Sequence, residues 1–381
     1  MRYPAILIAV ILTLLFCTPG VHAERGEESP PELAKDLSAH AAAVIDVSSN
    51  RILFEKEAQR RMRIASLTKI MTAIVAIENA DVDQKVTVSP GAVGVEGSSI
   101  YLKQGDQVPL HTLLYGLMLR SGNDAAVAIA ESVGGSVPGF VYMMNEKAAY
   151  LGLKGTHFEN PHGLDSDDHY STAEDMARLT AYALKNPIFK EIVSTPLKTV
   201  PWPGEDWKRT WRNKNKMLRL YPGADGVKTG YTKLSKRTLV SSATRDGRQL
   251  VTVTLDASDD WHDSMQLLDY GFTHYQPMEL VQKGEKIAPL KRKKSALSII
   301  AEKSFIYPLT EEERKTIEVK PLLTYPLAKI NKEGLRIGSG RIYLNGKLIG
   351  SVPLTSGVPE EESALQKWFQ VIAEVFGRGE R

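Results

Sequence analysis

Three short stretches carry residue types that can cooperate in nucleophilic chemistry. Ser66-Leu67-Thr68-Lys69 sets a hydroxyl and an amine three residues apart at the mouth of an apolar run. Ser121-Gly122-Asn123 follows in "LRSGNDAAVAIAE", and Lys228-Thr229-Gly230 lies in "GADGVKTGYT". Average composition gives about one or two chance Ser-x-x-Lys tetrads in a chain this long, so the first stretch proves nothing alone. It is nevertheless the only such tetrad in the sequence, and there is no second Lys-Thr-Gly. Ser48-Ser49-Asn50 also matches Ser-x-Asn, but it precedes the tetrad and reads as a turn between two β-type runs.

The chemistry explains why these types belong together. A serine hydroxyl is a weak nucleophile until a base removes its proton. In a helix Lys69 is one turn beyond Ser66 on the same face, within reach of the hydroxyl. An ordinary lysine is protonated at neutral pH; burial and a second cation depress its pKa, and Lys228 is the candidate second cation. Free N–H groups at a helix start can hold a developing oxyanion. Ser121 can relay a proton to a leaving amine, and Asn123 can hold a substrate amide. Lys228 and Thr229 can bind a carboxylate, while Gly230 lets a substrate backbone approach the strand.

These residues need elements to position them. Ile70, Met71, Ile74, Val75 and Ile77 recur at helical spacing, so a helix over 67–79 is expected. Residues 41–56 read as a hairpin around Ser48-Ser49-Asn50, with a short strand near 85–88. Further helices are expected at 111–119, 124–133, 138–151, 173–184 and 263–275. Runs 226–232, 238–245 and 249–256 read as successive strands of one sheet. After about residue 277 short β-branched runs take over, at 299–306, 316–323 and 340–354, the last with Asn345-Gly346 as a hairpin turn.

At 381 residues, 43% hydrophobic and 24% charged, the chain is expected to form two globular domains. A formal net charge of +3 argues against nucleic-acid binding. Arg2, an apolar run from Ala5 to Cys17, a Pro-Gly break and small Val21 and Ala23 form a secretory signal peptide over 1–23. The one cysteine, Cys17, lies inside it, which excludes a thiol nucleophile, a disulfide scaffold and a cysteine metal site in the mature protein. The expected order is then a catalytic domain over 24–277, a β-rich domain over 278–357 and an amphipathic helix over 358–381. In that last segment Leu365, Trp368, Phe369, Ile372 and Phe376 share one arc, the pattern of a helix lying in a membrane surface, the alternative being a helix docked on its own protein. The basic run at 291–294 reads as a solvated face.

In order and spacing the three motifs resemble those of the low-molecular-mass penicillin-binding proteins, the serine-type D-Ala-D-Ala carboxypeptidases of peptidase family S11. "RRMRIASLTKIMTAIVAIE", "YGLMLRSGNDAAVAIAE", "FENPHGLD" and "GVKTGYTKLSKRTLVSSA" look most like the sporulation-type enzyme of endospore-forming bacteria. The resemblance is strong over residues 36–275 and extends to the last hundred in layout only. It implies an α/β (α+β) penicillin-binding and β-lactamase-like transpeptidase fold, a helical cluster on an antiparallel five-stranded sheet with a small C-terminal all-β domain. It implies that Ser66 is acylated by the terminal D-Ala-D-Ala of a peptidoglycan stem peptide, limiting cross-linking, in the spore cortex for the sporulation type. Lys69 would be the base, Ser121 and Asn123 the second element, Lys228, Thr229 and Gly230 the third, with the backbone N–H groups of Ser66 and Tyr231 as oxyanion hole. β-Lactams would acylate the same serine. Neither a cofactor nor a metal is implied, and the location is the outer face of the cell membrane.

One departure stands out. Many relatives carry an arginine just after the strand that follows Lys-Thr-Gly, where this chain reads "LDASDDWHDS". Carboxylate recognition is then expected to fall on Thr229 and Lys228 alone. Among rivals, a β-lactamase needs a glutamate-positioned water, and Glu159-Asn160 lacks the Glu-x-x-x-Asn spacing. His157, His162 and His169 cluster with Asp165, Asp167 and Asp168 but show no metalloprotease spacing, and read as a polar loop over the site. A non-catalytic penicillin receptor or wall-binding module keeps the serine without turnover.

Overall fold

The computed structural model describes residues 32–289, 297–326 and 329–359. The expected leader with Cys17, the basic run 291–294 and all but the first two residues of the expected helix 358–381 lie outside the described residues. The described chain divides after Asp36: the short helix Glu32–Asp36 belongs to one unit, and the described residues from Leu37 onward belong to the other.

Its centre is an antiparallel sheet of five strands, in the order Ile52–Lys56, Ala41–Asp46, Arg248–Leu255, Lys236–Arg245, Ala224–Thr232. The first two form the expected hairpin, turning at Asn50 with φ +56°. Asp46 Oδ1 holds that turn by accepting from the Ser48 and Ser49 hydroxyls and the Ser49 N–H. Ser48-Ser49-Asn50 is therefore structural.

Ala41–Asp46 is buried at every position, because both faces of the sheet are covered. Ile45 pairs with Val251 and faces the large core; Val44 and Leu250 turn the other way, toward Gly271 of helix Asp260–His274. Helix Ala173–Ala183 packs on the first face, over the same two central strands. The core beneath it takes Ile70, Met71 and Ile74 from helix Lys69–Asn79 and Leu113, Leu114 and Leu117 from helix Leu110–Leu119. Among the described residues no single helix is long and apolar enough to cross a membrane.

The second β region is a five-stranded antiparallel sheet, Lys286–Pro289, Ser298–Ala301, Lys347–Gly357, Arg336–Leu344, Ile317–Leu323, around Ile299, Ile337, Ile342, Val352 and Leu354. The Asn345-Gly346 turn forms as expected, with φ +50° and +75°. The run 299–306 does not form one strand. It breaks at Glu302–Ser304, and Phe305–Leu309 pairs instead with Gln276–Val281. The composition change near 277 thus falls inside a strand.

Arg51 ties this region to the first hairpin. Its Nη1 donates to Pro308 O at 2.5 Å, its Nη2 pairs with Glu313, and its guanidinium lies 5.0 Å from the Tyr275 ring and 5.2 Å from the Tyr307 ring. A planar cation between two aromatic faces and a carboxylate uses all its binding modes at once.

Candidate active site

Ser66 sits in a 3₁₀ turn, Ala65–Thr68, and the α-helix begins only at Lys69. The tetrad is therefore not the first α-turn, as the apolar periodicity predicts. In a 3₁₀ turn positions i and i+3 eclipse, which keeps lysine above serine. Lys69 Nζ lies 3.0 Å from Ser66 Oγ. The turn opens on Ala65 at φ +48°, a left-handed conformation that costs a non-glycine residue about 1 kcal/mol.

Lys69 is fully buried. Its amine reaches two further acceptors, Asn123 Oδ1 at 2.7 Å and the His162 carbonyl at 2.5 Å. The Asn123 amide is oriented by its other end, since Nδ2 donates to Glu96 O. Burial pushes Lys69 well below the ordinary lysine value, and Lys228 and then Lys214 add to the shift against an opposing Asp124. Lys228, also buried, falls to about 7 through burial and Lys214, and donates to Thr229 O at 2.7 Å. Lys214 is itself lowered by desolvation at the cleft wall and by Arg120.

Ser121 occupies the break between helices Leu110–Leu119 and Asn123–Gly134, at φ +64°. The break is fixed from both sides: Gly122 N–H donates to Gly116 O, and Asn123 N–H to Ser98 O. Buried Asp124 accepts from the Ile100 and Leu102 N–H groups and the Ser99 hydroxyl, pinning the loop alongside.

The third motif lies on the outer strand Ala224–Thr232. A Cβ on Gly230 would stand 3.1 Å from the Ser66 backbone nitrogen and 2.4 Å from Thr238 Oγ1. Only glycine lets strand and nucleophile turn meet so closely. Ser66, Ser121, Thr229, Gly230 and Tyr231 line one cleft of about 530 Å³, with Lys69, Asn123 and Lys228 beneath it. All eight sequence-derived site residues thus converge.

Five more residues enter the cleft without carrying a motif: Ser98, Lys214, Arg237, Asp260 and Trp261. Arg237 pairs in register with Tyr231 on the neighbouring strand. Its Nε donates to Asp260 Oδ1 at 3.0 Å, and Nη2 shares the same oxygen. Two of the four acids of "LDASDDWHDS" are thereby accounted for. Asp260 holds Arg237, while buried Asp263 accepts from the Ser38 and Ala39 N–H groups and the Ser38 hydroxyl. The cation expected to be missing stands one strand away, a placement that only strand register reveals.

The loop 157–169 underlies the nucleophile. Pro161 O accepts from Thr72 Oγ1 at 2.6 Å, and His162 O from Lys69. Gly163, at φ +87°, presses so close that a Cβ there would meet Ala65 O at 1.9 Å.

Comparison with known proteins agrees with this geometry. Residues 26–259 match the family described as D-alanyl-D-alanine carboxypeptidase, and residues 275–362 match the penicillin-binding protein 5 C-terminal domain. The chain is 31% identical to D-alanyl-D-alanine carboxypeptidase DacF of Bacillus subtilis, over 93% of each chain. It is 32% identical to DacC of Escherichia coli, over 89% of this chain and 87% of that one. The crystal structure of penicillin binding protein 5 from Haemophilus influenzae superimposes with a TM-score of 0.69 at 28% identity, covering 84% of this chain and 96% of that one. DacD from Francisella tularensis gives 0.66 at 27%, covering 84% and 93%. A serine turned toward a buried amine, three motifs meeting in one cleft and relatives matched over nearly the whole length place this chain in the serine-type D-alanyl-D-alanine carboxypeptidase family, S11.

Proposed function

We propose that the protein removes the terminal D-alanine from peptidoglycan stem pentapeptides through an acyl-enzyme on Ser66. The observation that carries this reading is the set of partners around Lys69. Asn123 Oδ1 and His162 O can only accept, and a neutral amine has two hydrogens. With both hydrogens so engaged, the lone pair of Lys69 faces Ser66 Oγ, which supports Lys69 as the base.

Lys69 takes the hydroxyl proton as Oγ attacks the carbonyl of the penultimate D-alanine. The N–H groups of Ser66 and Tyr231 are the proposed donors to the oxyanion; one such donor is worth about 3 kcal/mol. Ser121 returns the proton to the leaving amine, and D-alanine departs. Water then cleaves the acyl ester, freeing the shortened stem peptide and Ser66. The departing residue carries a carboxylate, and Thr229, Lys228 and Arg237 are the groups proposed to meet it. β-Lactams present a strained amide to the same serine and acylate it.

Export and anchoring belong to the same proposal. Residues 1–23 act as the signal peptide and 358–381 as a membrane-surface helix, with 278–357 as a β-rich spacer beside the catalytic domain 24–277; the matched C-terminal family supports the layout.

Release of D-alanine from a diacylated tripeptide ending in D-Ala-D-Ala is expected to resist EDTA and to vanish in Ser66→Ala, together with covalent labelling by fluorescent penicillin. Labelling without release would make the protein a receptor, and EDTA-sensitive release would sink the serine mechanism. Lys214→Ala removes a cation that disfavours protonated Lys69, so the Lys69 pKa rises. The acid limb of kcat/KM then moves to higher pH, and a limb unmoved or moved downward contradicts the assignment. Arg237→Ala deletes a charge-assisted contact of about 2 kcal/mol, so KM for the tripeptide rises roughly thirtyfold while an ester substrate lacking the carboxylate is unaffected. A chain ending at Val358 is expected to leave the membrane fraction with its activity intact.

A further inference from the structure

His169 is buried and plays no part in the chemistry above. Its ring nonetheless ends a chain of hydrogen bonds that runs to the residue before the nucleophile. The Glu159 N–H donates to His169 Nδ1 at 3.1 Å, so Nδ1 carries no proton and Nε2 does. Nε2 lies 2.7 Å from Thr68 Oγ1, and Thr68 Oγ1 donates to Ala65 O at 2.8 Å. Every donor has one acceptor, and the direction is fixed from end to end. The ring must be neutral for this, and burial lowers its pKa to about 4, opposed by Glu159 and helped by His157, Arg63 and Lys69. Phe158 closes edge-on over the ring at 5.7 Å.

The chain terminates on the Ala65 carbonyl, which belongs to the left-handed residue of the turn. That turn has no side-chain cap of its own at Ile64. A strained peptide persists only where its surroundings determine it. Gly163 packs against the same carbonyl from below. Two independent contacts thus fix one peptide plane, and that plane aims the Ser66 N–H and Oγ.

The geometry points to His169 as a positioning residue for the reaction: acting through Thr68, it holds the Ala65 peptide so that Ser66 stands oriented for attack. It touches neither substrate nor Ser66. The inference rests on Ser66 being the acylated residue.

The test measures acylation by fluorescent penicillin and steady-state kinetics on the D-Ala-D-Ala tripeptide. His169→Phe keeps an aromatic ring beside Phe158 but removes both hydrogen bonds, and Thr68→Val removes the relay alone. Each is expected to lower the acylation rate constant and kcat at least about tenfold with KM within about threefold, because orientation rather than binding is lost. The double variant should be no slower than the slower single, since one chain is cut twice. His169→Gln, whose Nε2 can still donate to Thr68, and Thr68→Ser should recover rates to within about threefold of the parent. Wild-type rates in Thr68→Val, a loss expressed in KM alone, or additive effects would overturn the role. Should His169→Phe not fold, Thr68→Val against Thr68→Ser decides. Failure of the parent protein to label at Ser66 would instead remove the nucleophile assignment.

Discussion

A lysine amine sealed from water is the constraint on which the rest of the site depends. An ammonium buried without a carboxylate partner is strongly disfavoured, so the group gives up its proton and becomes a base. The fold builds this state from several directions. Helix Lys69–Asn79 carries the amine inward, Asn123 and the 157–169 loop supply two carbonyl acceptors, and Lys228 and Lys214 add positive charge nearby. The cation count does double duty. The same lysines that hold Lys69 neutral leave the cleft attractive to an anion, which is what a substrate with a free carboxylate presents.

Three segments far apart in sequence must meet at that amine, two of them where one helix gives way to another and the third within a strand. The nucleophile lies where a 3₁₀ turn becomes an α-helix, Ser121 where two helices part, and Gly230 on an outer strand. Ala65 and Ser121 both adopt left-handed backbone without being glycine. Strain collected at the reacting groups and relieved nowhere nearby is the usual mark of a site held in place by its scaffold. Here Asp124, Gly163 and Thr238 do the holding, through backbone N–H donors to the carboxylate, backbone contact and a hydroxyl donated to Ile64 O.

Much of this was legible in the residues. Ile70, Met71 and Ile74 announce a core helix behind the tetrad, and Asn345-Gly346 announces its hairpin. Seven motif residues could be named because each has a chemical reason to sit near the others, and Tyr231 because the family resemblance implies it. What stayed hidden depends on register and on conformation. Arg237 reaches the cleft only because it pairs with Tyr231, and no spacing rule in one chain encodes that pairing. The break at Glu302–Ser304 is marked by three polar residues, but only the pairing shows that the apolar residues on either side join different sheets. The 3₁₀ turn escapes because i to i+3 proximity serves either helix type.

The two edges of the central sheet are given different work. The cleft lies on strand Ala224–Thr232, at one end of the strand order, and the hairpin that presents Arg51 lies at the other. A load arriving through the C-terminal strands has a covalent route up helix Asp260–His274, which ends at Asp260 beside Arg237. Arg51 offers a second route, from Phe305–Leu309 into the far edge, with four ladders of backbone hydrogen bonds between that edge and Gly230. A displacement of the C-terminal strands that enters through Arg51 therefore meets the sheet at the edge farthest from Gly230.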